Sequence, residues 1–188
     1  MSDPAGFESL ASDAAGYPYE DTHDLRSGPD LHEALLGLLP FVGTWRGTGK
    51  GGYPTIEDFD FAQEVRFSHD GRPFLFYESR TWIIDHEGKP VRPGAREVGW
   101  WRPRPDDEVE LLLAHPTGFV EIYLGEIDGT RVELSTDLVA RTPSAKDVAA
   151  NHRLYGIVEG DLLYAVDMAA MGQPLTPHLS ARLTRTAG

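Results

Sequence analysis

The chain has 188 residues, 30 acidic against 17 basic for a formal net charge of −13, with 40 % apolar residues and no cysteine. Such an excess of negative charge repels phosphate backbones and argues against nucleic acid as a partner. The missing cysteines exclude disulfides, thiolate ligands and Cys nucleophiles, and they fit a reducing, cytoplasmic setting. No window reaches the ~20 apolar residues of a membrane helix, and the acidic start lacks the basic region of a secretory signal, so neither membrane nor export is expected.

Residues 1–30 carry Asp3, Glu8, Asp13, Glu20, Asp21, Asp24 and Asp30 against one Arg26. They read as a solvated, flexible acidic tail. Residues 31–188 read as one folded domain. It opens with a short helix: Asp30 is the expected N-cap, Glu33 completes a capping box and Pro40 stops the run.

Five glycines then fall within residues 43–52, around Trp45. Each would cost a helix ~1 kcal/mol relative to alanine. In a strand they permit a hard bend and close backbone approach, with the indole filling the vacated space. From there the pattern is short strands and tight turns. Strands are expected over 59–67, 73–84, 97–102, 108–114, 118–124, 131–139, 151–158 and 161–168, with a last one after Pro177. The turns between them include Asp70-Gly71, Asp128-Gly129 and Glu159-Gly160. About ten antiparallel strands remove their edges by closing into an up-and-down barrel, wide enough inside for one small ligand. The fold class is therefore all-β, a ten-stranded antiparallel β-barrel with a short N-terminal helix.

His178 is the leading candidate residue. Pro177 fixes the backbone before it, and Leu175, Leu179 and Leu183 surround it in sequence. If it points inward, a free imidazole nitrogen stands in an apolar pocket, as a haem iron requires. An isolated histidine is more often an ordinary surface or hydrogen-bonded residue, and the residues alone favour that reading. His69 and His86 fall in turns and are expected to be exposed. His115 and His152 stand where they would line a mouth, but are read as ordinary histidines. Thr55 follows the glycine run and offers a hydroxyl to a ligand or to its own turn. Trp100, Trp101 and Met168 suit a barrel interior or wall. No triad, paired carboxylates, P-loop or HExxH motif is present.

Several motifs carry more information than their periodicity. Gly43-x-Trp45-x-Gly47-x-Gly49 with Tyr53-Pro-Thr-Ile56 resembles the signature of the nitrobindin family. Further matches are Glu64-Val-Arg-Phe-Ser-His69, the strand with Tyr77, Thr81 and Trp82, Arg102-Pro-Arg-Pro105, Asp137-Leu-Val139 and Pro174-Leu-Thr-Pro-His-Leu179. The resemblance spans roughly residues 35–185. It implies a barrel that holds haem b, mainly ferric, with His178 as proximal ligand and Thr55 beside the haem. It implies reversible binding of nitric oxide and conversion of peroxynitrite to nitrate. Some members carry Met-His in the loop before the Arg-Pro-Arg-Pro strand. Here Gly94 and Ala95 occupy those positions, which leaves the sixth iron position open or filled by water. Met168, Gly94 and Ala95 are assigned with Thr55 to the cofactor environment. Two other readings stay open: a nitric oxide sensor or carrier without turnover, and an apolar-ligand carrier of the fatty-acid-binding type. The latter requires an inward arginine or tyrosine for a carboxylate. Monomer and homodimer are both compatible with the sequence.

Overall fold

The computed structural model describes residues 17–188. Ten antiparallel strands close into one barrel in the cyclic order β1-β10-β9-β8-β7-β6-β5-β4-β3-β2. They are β1 Gly43–Tyr53, β2 Ile56–Ser68, β3 Leu75–Ile84, β4 Pro90–Pro103, β5 Glu108–His115, β6 Phe119–Asp128, β7 Arg131–Arg141, β8 Val148–Val158, β9 Asp161–Ala170 and β10 Thr176–Ala187. The expected barrel is present. Alternation along each strand sends one face inward, as on β5, where Val109, Leu111 and Leu113 are buried.

The glycines of β1 earn their places by crowding. A Cβ on Gly47 would lie 2.2 Å from the Arg182 carbonyl oxygen, and one on Gly49 would lie 2.3 Å from the Phe61 ring and 2.4 Å from the Ser180 carbonyl. Larger residues would push β1 off β10 and open the wall.

The short helix is a 3₁₀ helix, Glu33–Phe41. Its buried residues are Leu35, Leu38 and Phe41, three apart, which places them on one face of a spiral with three residues per turn. Two expectations change here. The N-cap is His32, whose ring nitrogen accepts from the Ala34 N–H at 3.1 Å, and not Asp30. Pro40 lies inside the last turn instead of ending the helix. The helix closes one end of the barrel. Phe41 packs against Phe67 and Trp101, and its carbonyl accepts from the Trp45 indole at 2.8 Å.

Strand β4 is longer than expected. It takes in Pro90, Pro93, Gly94 and Ala95, which the sequence assigned to a turn and loop. The register with β3 shifts between Arg80 and Trp82 and again at Ile84. Prolines are tolerated beside such shifts, where the ladder does not need every N–H. Trp100 and Trp101 part company, as neighbours on a strand must: Trp101 is fully buried, whereas Trp100 is exposed beside Phe76.

Of the stretch read as an acidic tail, residues 1–16 lie outside the described residues. Thr22 forms an antiparallel bridge with His69, and Asp21 accepts from Ser68 and Arg66. His69, expected to be exposed in a turn, lies buried beneath this strap with neither ring nitrogen hydrogen-bonded. Burial lowers its pKa, against the weaker pull of Asp70 and Asp21.

Candidate haem pocket at the open end

Odd-numbered strands end, and even-numbered strands begin, at the barrel mouth opposite the helix. His178 stands there on β10. Strict alternation would turn it outward, because Ala181 and Leu183 face in and are buried. A bulge prevents this. Pro177 pairs with Asp167 but Leu179 pairs with Val166, so His178 is an extra residue without its own partner. A bulge re-aims side chains locally, and His178 joins Leu179 on the inner side.

Two contacts hold the ring. Nδ1 lies 2.9 Å from the Gly52 carbonyl oxygen, and the ring packs edge-on against Tyr53, with centroids 5.5 Å apart. A carbonyl oxygen only accepts, so Nδ1 carries the proton and Nε2 keeps its lone pair. Burial lowers the imidazole pKa and outweighs the Gly52 contact, which raises it. The charges of Arg153 and Glu97, deeper in the barrel, also act on this ring with opposite signs. His178 is thus a neutral base with a free Nε2.

The mouth around it is apolar. Tyr53, Val148 and Ala170 are buried together, with Phe119, Val139 and Met168 packed against them. The Tyr53 hydroxyl donates toward the Met168 carbonyl at 3.0 Å and accepts from the Ala170 N–H at 2.8 Å. It thereby ties β1 to β9 across the start of β10. On the far side, β7 and β8 pair only from Arg131 to Ser135. Beyond that point the Thr136 hydroxyl bonds the Asn151 backbone and the direct pairing of the two strands ends.

The structure brings His178, Tyr53 and Met168 together. Thr55 is exposed in the two-residue turn between β1 and β2. Gly94 and Ala95 are exposed on β4, both opposite Thr81, so they belong to a bulged strand and not to a loop.

Sequence reasoning missed a buried polar layer below the mouth. Arg153 on β8 grips Glu97 on β4 through both terminal nitrogens, at 2.8 and 3.1 Å. Tyr77 donates to the same carboxylate at 3.1 Å, and Tyr123 receives the Arg153 Nε–H at 2.8 Å. Burial alone would push the Glu97 carboxyl up, but Arg153 with its hydrogen bonds holds it down at about 2. Beside this pair, His115 contacts Glu121 at 2.8 Å and stacks on Phe119 at 3.9 Å. His115 ends β5, five places from β10 either way round the ring, so the two histidines stand at the same end of the barrel on opposite walls. The available signal was phase. Glu97, Glu121 and Arg153 each alternate with buried aromatic residues on their own strands: Trp101, Tyr123 and Tyr155.

The residues fit a haem. A neutral imidazole with one free nitrogen and an apolar rim meet at one end of a container closed at the other. His178 would hold the iron, and Tyr53, Met168 and Phe119 would cover the macrocycle.

Comparison with known proteins agrees. Residues 34–185 match the model of the THAP4-like, heme-binding beta-barrel domain. A Salinispora tropica protein named peroxynitrite isomerase is 63 % identical over 177 residues, covering 92 % of this chain and 90 % of that one. A Streptomyces griseus protein of the same name is 51 % identical over 172 residues, covering 90 % and 93 %. A crystal structure of an M. tuberculosis protein superposes with a TM-score of 0.76 at 40 % identity, covering 84 % of this chain and 99 % of that one. With its closed barrel and a match over most of its length, this chain belongs to the THAP4-like, haem-binding β-barrel family.

Proposed function

We propose that this chain binds haem b through His178 Nε2, keeps the iron mainly ferric and converts peroxynitrite to nitrate. The observation that carries this reading is the neutral imidazole that the β10 bulge turns into an apolar mouth. The family match and the relatives named peroxynitrite isomerase support it. Bound iron supplies a Lewis-acidic, one-electron centre for the rearrangement of the O–O bond. The substrate and product anions are isomers, so the conversion needs no net electron, proton or second substrate. The protein's part is to fix the ligand, exclude bulk water and confine the reacting fragments. Gly52 holds the Nδ1 proton and with it the ring orientation. The same pocket would take nitric oxide reversibly. Thr55, Gly94 and Ala95 are proposed to approach the cofactor from the rim. The cytoplasm is the proposed setting, on the absence of cysteine.

The inward cation that a fatty-acid carrier requires is present as Arg153, but Glu97 neutralises it. The haem reading is tested by titrating the protein with haemin and by stopped-flow decay of peroxynitrite. A Soret band in the wild type, lost in His178→Ala, and nitrate formed faster than in buffer are expected. Identical spectra for the two proteins would remove His178 as the ligand, and decay no faster than in buffer would remove the isomerase.

A further inference from the structure

The Glu97–Arg153 pair is unusual in its construction. Arg153 has contacts other than Glu97 that orient it. Its Nε donates to the Tyr123 hydroxyl at 2.8 Å, and Nη1 lies 3.2 Å from the Tyr155 hydroxyl. These contacts aim the Nη1–Nη2 edge of the guanidinium across the barrel, where it meets a carboxylate in the two-point geometry that arginine favours. The Tyr77 hydroxyl, from the opposite wall, adds a third donor to the same carboxylate. The donors come from β3 and β8, with Tyr123 on β6 in support, and the carboxylate from β4. All of these residues are buried. Toward the mouth lies the apolar cluster that contains Tyr53, Phe119 and Met168. A cationic fork beneath an apolar cluster offers one partner for each end of an amphiphilic acid, the charged head and the apolar tail.

We propose that the barrel interior contains a carboxylate-binding site that Glu97 fills from within, and that Glu97 is thereby the specificity residue that closes this site to fatty-acid-type anions. Being tethered, the Glu97 carboxylate is present at an effective concentration that no free acid reaches. Glu97 occupies both terminal nitrogens of the fork, and Glu121 stands 3.9 Å from one of them, so no edge of the guanidinium is left for an anion from outside. The inference stands apart from haem binding, since it concerns groups below the mouth and is read on the haem-free chain.

The test is chemical rescue. Glu97→Ala removes the carboxylate that grips the fork and leaves space beside Arg153, with Glu121 retained 3.9 Å from Nη2. Propionate is the probe, with propionamide as its neutral counterpart and chloride to match ionic strength. Saturating propionate is expected to raise the Tm of Glu97→Ala by at least about 4 °C, and propionamide and chloride are not. Wild type and Glu97→Gln keep the space filled and should not respond. Glu97→Ala/Arg153→Met lacks the fork and should not respond either. Decanoate should bind Glu97→Ala at least tenfold more tightly than it binds wild type. Should Glu97→Ala be unfolded in buffer, recovery of its far-ultraviolet circular dichroism with propionate, and not with propionamide, reads the same property. A propionate response no larger in Glu97→Ala than in wild type, or an equal one in the double variant, overturns the proposal. Because no step uses haem, this result is independent of the His178 spectra.

Discussion

The two ends of the barrel are made by the same ten strands and are finished in opposite ways. At the closed end, Trp45, Phe67 and Trp101 meet the 3₁₀ helix, whose Leu35, Leu38 and Phe41 complete a solid core. At the open end, the direct pairing of β7 and β8 ends, Tyr53 spans to β9, and a bulge turns a histidine inward. Between them lies a polar layer centred on Arg153 and Glu97. Stability is concentrated where apolar side chains fill the space. The opposite end carries the inward histidine proposed to hold haem, among apolar residues. The difference teaches that strand alternation makes a container, while the end residues decide whether that end is filled.

Breaking the closed end should have the largest effect on stability. Trp101→Ala removes a fully buried ring that contacts Phe41, Phe67 and Tyr155. A loss of about 3–5 kcal/mol is expected by denaturant unfolding. His178→Ala, at the other end, should spare folding and abolish the haem spectrum, which separates the two ends most sharply. If it lowers stability as much as Trp101→Ala, the ends do not differ as described.

Tyr53→Phe removes the hydroxyl that serves Ala170 and Met168 and leaves that backbone with a lost partner. About 1–3 kcal/mol is expected, with hydrogen exchange faster at Ala170 than at Leu162 on the same strand. Uniform acceleration along β9 would deny Tyr53 its local role.

The smallest effect concerns pH. His69 and His178 both have folded pKa values lowered by burial. The unfolded chain then binds more protons than the folded one, once the pH falls to the ordinary histidine range. Stability should therefore fall as pH drops through about 6.5 and level off below the folded values. Melts of the haem-free protein at pH 7.5 and 5.5 check this. In His69→Leu the drop should shrink without vanishing, because His178 retains its share. An unchanged drop would mean that His69 is already solvated.

Much of the fold was readable from residues alone. The turns at Asp70-Gly71, Asp128-Gly129 and Glu159-Gly160 separate strands as expected, because the positive φ angles of Gly71, Gly129 and Gly160 favour glycine. Strand β4 was read too short, because Pro90 and Pro93 look like breakers until the register shifts beside them are known. His115 looked ordinary because its partner Glu121 lies across a hairpin and its counterpart His178 lies across the barrel. Arg153 was overlooked because His152 and Arg153 are both polar, and neither marks its own strand face.

Local patterning determined that this chain makes a closed antiparallel barrel, started by a glycine-rich strand around one indole and capped by a short apolar helix. Alternation with period two and the glycine turns are properties of neighbouring residues, so they survive without knowledge of the fold. Tertiary structure alone decided that His178 faces inward, that His69 is buried and that Glu97 occupies the arginine fork. Each of these depends on a register or a contact between distant segments. Insertion of one residue opposite Val166 reverses the direction of a side chain without altering any local pattern.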